Sequence, residues 1–288
     1  MELAIQTVIN VVLLGVVYIL MGVGFAFILN LLGIFNLAHG AIFMSAAYGC
    51  YLLVVNLGLP GFVAFPLTVL AAAAFGVLVE RFLFRPMKAD FNRTMMVCIA
   101  LSTVLVTTFN RFMGTRALAI PALISGRTGF GPYRVDNDRI LAFGIGIVIL
   151  IGIILFVDRS RWGARMQAVT QNRDGAALQG IRFGQVAAIA CAVGFGLAAI
   201  GGVFVGSLYN LTPYIGDVTL IKVLMLVILA GLGSFNGIFY MGALLGVLYG
   251  ALPAIPSTWF SGAKVDAYAS ILVLALLIIR PRGFFGHE

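Results

Sequence analysis

Charge is scarce in this 288-residue chain: 10% of its residues are Asp, Glu, Lys or Arg, where a soluble domain carries about 25%. Histidine is scarcer still, with only His39 and His287. Cys50, Cys98 and Cys191 each lie inside an apolar run, and no CxxC or Cys/His metal spacing occurs. The chain has no HExxH pair, no GxSxG nucleophile elbow and no P-loop. The familiar metalloprotease, serine-hydrolase and P-loop nucleotide chemistries are thereby excluded, and no enzyme activity is expected of it. No soluble-looking block exists either. The longest polar stretches run only from Asn110 to Arg139 and from Asp158 to Arg182.

What the chain has in abundance is hydrophobic residues, at 62%. In water so apolar a chain would expose large sticky patches; in lipid it would not. Backbone polar groups at membrane depth must pair internally, so helices are expected, and the absence of alternating runs argues against a barrel. The reading is an all-α polytopic membrane protein of about eight or nine transmembrane helices, forming a single domain over 1–288. Candidate spans are 7–32, 39–56, 60–84, 94–113, 140–157, 184–208, 219–232, 238–252 and 267–280. Spans 219–232 and 238–252 fall short of the roughly 20 residues a crossing needs, which predicts tilted, broken or half-helices. The first 30 residues lack a basic leader and a small-residue cleavage site, so they read as a retained helix.

The formal net charge of +8 sits in short loops between spans, so topology explains it and nucleic-acid binding is not expected. Arg81, Arg85, Lys88 and Arg93 occupy one loop. Arg159, Arg161, Arg165, Arg173 and Arg182 occupy the next such loop, about 158–182. Arg280 and Arg282 close the chain, while 209–218 carries no Lys or Arg. The first three regions are therefore expected in the cytoplasm. The 111–139 segment disagrees: it holds Arg111, Arg116, Arg127, Arg134 and Arg139, yet parity faces it outward. Either it is a folded external segment, about 114–139, or a neighbouring span is not a full crossing. The ionisable residues near spans, Glu80, Lys222 and Asp266, have Arg81, Asp217 and Lys264 as local partners. No carboxylate lies deep in a span to drive proton-coupled transport, so the driving energy is expected from elsewhere.

An internal repeat is visible. Leu32-Gly33-Ile34-Phe35-Asn36 is echoed by Leu232-Gly233-Ser234-Phe235-Asn236, and Gly40…Met44…Gly49 by Gly237…Met241…Gly246. Gly-interrupted segments at matching positions point to a permeation pathway. Phe35, Asn36, His39, Gly40, Gly233, Phe235 and Asn236 are its candidate lining. Helix capping by the two asparagines is the alternative, and both readings can hold together. Gly194, Gly196, Ala198, Ala199, Gly201, Gly202 and Gly206 crowd one span and let helices approach closely. In the 158–182 loop, the stretch 170–181 has the layout of a short helix. Asn172 suits its cap, Asp174 its first turn and Gly180 its stop, while Ala176 and Ala177 give a small face for a partner.

Several of these motifs together resemble the branched-chain amino acid ABC permeases. Phe35-Asn36-Leu37-Ala38-His39-Gly40 with Met44 and Ala47-Tyr48 is similar to the family's first-repeat signature. Arg85-Pro86 is similar to its Arg-Pro turn. Arg165…Asn172…Ala176-Ala177…Gly180-Ile181 resembles its cytoplasmic coupling loop, and Gly231 to Gly237 and Arg280-Pro281-Arg282-Gly283 also fit. The departure is Arg173-Asp174-Gly175, where the family commonly has a Pro-Glu-Ala-like stretch. The resemblance implies the smaller inner-membrane permease of an ATP-driven importer for branched-chain amino acids or related small polar solutes. It further implies a second permease subunit, two cytoplasmic ATPases that bind the ATP and magnesium, and a periplasmic solute-binding protein. This chain itself would then hold no cofactor and no metal, and would sit in the bilayer with Arg165, Asn172, Arg173, Asp174, Ala176, Ala177 and Gly180 coupling it to the motor. A stand-alone secondary transporter or channel for a solute such as urea or an amide is the rival reading.

Overall fold

With no water available at membrane depth, each apolar run closes its own backbone hydrogen bonds as a helix. The computed structural model describes residues 2–87, 90–121, 126–130, 133–231, 233–254, 262–280 and 283–285. Its elements are α1 (Glu2–Leu32), α2 (His39–Val55), α3 (Gly61–Val79), α4 (Phe91–Met113), β1 (Arg127–Phe130), β2 (Tyr133–Asp136), α5 (Asn137–Arg159), α6 (Arg161–Gln171), α7 (Arg173–Leu178), α8 (Phe183–Leu208), α9 (Ile215–Ala230), α10 (Phe235–Ala251) and α11 (Gly262–Ile279). Among the described residues the nine expected spans are all helical, as α1 to α5 and α8 to α11. Five of these are long and apolar enough to cross a membrane by length and composition. The sequence boundaries err mostly at starts: α9, α10 and α11 begin three to five residues earlier than the apolar runs suggest. Their first turns hold polar or small residues that hydropathy alone ignores.

Two helices form the centre. The most apolar window of α1 is 89% buried and that of α8 is 72% buried, against 22%, 6% and 11% for α3, α4 and α5. Small residues make the central packing possible. Along the antiparallel contact of α1 and α10, Gly242, Gly246 and Gly250 recur every fourth residue against Ile19, Gly15 and Val11. A Cβ on Gly246 would come within 2.6 Å of the Gly15 Cα. In lipid, where burying apolar surface drives little association, such close backbone contact is a principal source of cohesion. The Gly-rich stretch foreseen in α8 serves the same end: Gly194 faces Gly24 of α1, Gly201 faces Met21, and Gly202 faces Phe43 of α2.

The two ends of the bundle differ. At one end lie the arginine-bearing loops. Here α3 runs on through a π-turn (Glu80–Phe84) and a 3-10 turn (Arg85–Met87). The π-turn tucks Glu80 inside, and Arg85 reaches back to it with bonds of 3.1 and 2.8 Å, rather than the adjacent Arg81 foreseen as its partner. Arg85 also donates to the Gly184 carbonyl at the start of α8. Phe284 and Phe285 return there, their N–H groups bonding the carbonyls of Leu229 and Ala230. At the opposite end, the described residues of the Arg-containing 111–139 segment are tied to the bundle. Leu118 bridges to Leu211, Ile120 N–H bonds the Gly206 carbonyl, and Arg139 donates to Asn10. Within it β1 and β2 pair antiparallel from Arg127↔Asp136 to Phe130↔Tyr133, a small hairpin on an otherwise helical fold. The helices on either side of this segment, α4 and α5, are both long and apolar enough to cross a membrane by length and composition. Lys222 pairs with Asp266 at 3.0 Å across helices rather than with Asp217 nearby in sequence.

Candidate functional site

The 158–182 loop holds the short helix expected after Asn172, as α7, and a further helix before it, α6. Ser160 caps α6, its hydroxyl accepting from Gly163 N–H, and α6 buries Met166 and Val169 against the core. Asn172 then breaks the path with extended backbone and caps α7, accepting from Gly175 N–H at 2.8 Å. The stop is equally local. Gly180 takes a positive φ of 80°, and the N–H groups of Gly180 and Ile181 bond back to Ala177 and Ala176 carbonyls. This is the glycine-terminated close expected of the sequence.

Of the alanine pair, Ala176 turns inward and is buried, while Ala177 is exposed. Beside it Leu178 is 91% exposed at the tip of α7. Sequence reasoning passed over Leu178; a large apolar residue at the end of the otherwise small and polar stretch 170–177 was the available signal. Arg173 and Asp174 are exposed, and the Arg173 guanidinium lies 3.5 Å from the ring centre of Phe183, the first residue of α8. Arg165 lies over Trp162 at 4.6 Å. A cavity of about 430 Å³ is lined by Arg173, Phe183, Leu32, Ile34, Glu80 and Arg85, among others. Short connections therefore join α7 to α8, and through the Arg85 clasp to the end of α3.

The repeated motif gives two unlike sites. In the first copy, Gly33 turns with a φ of 69° and the chain runs back along α1, so that α2 starts beside Phe25. Asn36 and His39 are both fully buried. The Asn36 side-chain oxygen accepts from Ala38 N–H at 3.2 Å, while among the described residues its amide nitrogen has no partner; the buried His39 ring reaches only the backbone of Met21. Asn36 thus closes a small turn ahead of the helix and is not its cap. Phe35 stacks edge-on with Phe25 and Phe91. Gly40 meets Gly216 so closely that a Cβ on either would strike the other's carbonyl; the starts of α2 and α9 cross there.

In the second copy, Gly233 has a φ of 99° and is exposed. Ser234 caps α10 by accepting from Gly237 N–H, Phe235 packs on Phe27, and Asn236 is exposed in the first turn. Asn36 and Asn236 therefore occupy matching sequence positions with opposite exposure. The structure brings Phe35, Asn36, His39 and Gly40 together and leaves Gly233, Phe235 and Asn236 as a separate turn.

Three comparisons bear on this arrangement. A family model described as "Branched-chain amino acid transport system / permease component" matches residues 7–280. The chain is 29% identical to the high-affinity branched-chain amino acid transport system permease protein BraD of Pseudomonas aeruginosa, across 98% of this chain and 95% of that one. It is 26% identical to the corresponding protein LivH of Salmonella typhimurium and 25% to that of Escherichia coli, each over 98% of this chain and 95% of the relative. Among solved structures, PsaBC from Streptococcus pneumoniae in complex with Fab has a chain with a similar fold. The TM-score is 0.58 at 14% identity, covering 98% of this chain and 93% of that one.

Proposed function

We propose that this chain, which belongs to the branched-chain amino acid transport system permease family, is one membrane subunit of an ATP-driven importer for branched-chain or closely related amino acids. In this reading a second permease completes the pathway. Two ATPase subunits bind ATP and magnesium at the arginine-rich end, which faces the cytoplasm across the inner membrane. A periplasmic binding protein delivers cargo at the other end. The observation that carries the reading is α7: a six-residue helix, capped at both ends, that presents Leu178 at 91% exposure beside exposed Ala177. So short a helix is marginal unless something supports it. An apolar tip of this kind on a polar loop suits a groove on a partner. Movement of α7 would reach α8 through Arg173 on Phe183, and α8 is a central helix of the bundle.

The unpartnered amide nitrogen of Asn36, beside the fully buried His39, supports a pathway role near the α2–α9 crossing. A buried polar atom without a partner costs about 1–3 kcal/mol, a cost more readily understood if the group is used in a transport cycle.

The test is Ala177→Arg in the assembled complex. A long charged side chain beside Leu178 should cut ATP-driven uptake at least ~10-fold, the equivalent of about 1.4 kcal/mol of docking, with membrane insertion unchanged. Full uptake together with unaltered transport-stimulated ATP hydrolysis would remove α7 from the coupling path. Uptake by this chain alone in ATP-free vesicles would favour a stand-alone transporter.

A further inference from the structure

A cavity of about 590 Å³ lies at the end of the bundle away from the arginine-rich loops. Gln6, Asn10 and Tyr209 line it toward that end, with Leu14, Tyr18 and Thr219 deeper. Its volume falls within the usual range for small-molecule sites. A second cavity of about 280 Å³ adjoins it between α9 and α11. Val218, Lys222, Tyr249 and Asp266 line both, so these four side chains form the wall between them. Across the wall the Lys222 ammonium sits 3.0 Å from the Asp266 carboxylate and 4.0 Å above the Tyr249 ring. The Lys222 side chain is largely buried and that of Asp266 about half exposed.

We infer that this wall is a binding site within the chain for a zwitterionic amino acid with an aliphatic side chain. The inference rests on the permease reading above, which it deepens. Opening the pair uncovers the largely buried Lys222 ammonium and the buried Asp266 oxygen that faces it, and that cost keeps the wall shut against water and single ions. A zwitterion removes the cost at both halves. Its ammonium replaces Lys222 at Asp266, and its carboxylate replaces Asp266 at Lys222. A solute with one charge satisfies one half and strands the other. Tyr18 and Leu14 supply apolar surface for a branched side chain, and Tyr249 holds Lys222 in place from the other side. The same paired charges would also accept the headgroup of an ethanolamine lipid, so the experiment separates the two sources.

The probe is a thiol-labelling assay on Val218→Cys in the assembled complex, held in nanodiscs of phosphatidylglycerol that contain no zwitterionic lipid. Cys50, Cys98 and Cys191 are buried, so background labelling is slow. L-leucine should slow labelling of the new thiol at least ~5-fold. 4-Methylpentanoate and 3-methylbutylamine, which are leucine without its ammonium and without its carboxylate respectively, should not. The double variant Lys222→Gln/Asp266→Asn should lose the protection, with at least ~10-fold weaker apparent affinity.

Equal protection by either half-ligand overturns the inference, and so does undiminished protection in the double variant. Protection seen only when ethanolamine lipid is added does the same. The half-ligand comparison needs no change at Lys222 or Asp266, so it decides even where the double variant fails to assemble. ATP-driven uptake is measured in parallel. Uptake of leucine without protection sinks the site and leaves the permease reading standing. Protection without ATP-driven uptake of any amino acid does the reverse.

Discussion

The α1–α10 contact makes a quantitative claim about glycine, which Gly246→Ala tests. An ideal Cβ on Gly246 lies 2.6 Å from the Gly15 Cα, 2.7 Å from its nitrogen and 2.7 Å from the Val11 carbonyl oxygen. Carbon atoms rest about 3.5–4.0 Å apart, so the helices must part by roughly 1 Å at this point. The atoms struck are backbone, and no rotamer change relieves them. Overpacking of this kind costs about 1–3 kcal/mol. Alanine returns about 0.5–1 kcal/mol through its better helix propensity, which blurs a single measurement. Gly144→Ala is the control, because a Cβ there meets nothing within 4 Å. Both substitutions gain the same propensity, so their difference isolates the clash at about 1–3 kcal/mol. Reversible unfolding in mixed micelles, titrated with SDS and followed by circular dichroism, reads that difference. Equal stability of the two variants would refute the close α1–α10 seam, since no other feature distinguishes the sites so sharply.

Three further outcomes are expected. Arg85→Ala leaves the buried Glu80 carboxylate without its two bonds and should cost about 1–3 kcal/mol, the lower end reflecting the half-exposed arginine. Glu80→Gln/Arg85→Gln should recover most of this in a double-mutant cycle, and additivity would argue against the pair. His39→Leu replaces a fully buried polar ring by an apolar side chain, so stability should change by no more than about 1 kcal/mol while uptake by the complex falls; unchanged uptake would return His39 to packing alone. Asn172→Ala deletes the α7 cap and should cost about 1 kcal/mol locally, seen as faster hydrogen exchange over 173–178; Asn172→Asp should restore protection, and indifference to both would mean that partner contacts alone hold α7.

Much of the architecture follows from the order of residues. An apolar run of sufficient length in lipid has one solution for its backbone, so nine helices were legible before any packing was known. The caps were legible for a similar reason. Asn172 and Gly180 act on N–H and C=O groups within a few positions, and such bonds do not depend on the rest of the fold.

Where chain segments distant in sequence meet, the tertiary structure decided. Sequence likeness made Asn36 and Asn236 equivalents, but burial depends on neighbours: the turn around the first is packed through Phe35 on Phe91 of α4, His39 on Phe25 of α1 and Gly40 on Gly216 of α9, and the second lies exposed at its turn. Ala176 and Ala177 are alike in sequence, and only packing sends one inward. Lys222 stands five residues from Asp217, yet its partner is Asp266, because α9 and α11 lie side by side and the α9 backbone points the two local charges apart. Helices form from bonds reaching a few residues along one chain segment. Cavities and ion pairs between helices form from how those segments pack, and no local stretch of residues contains that information.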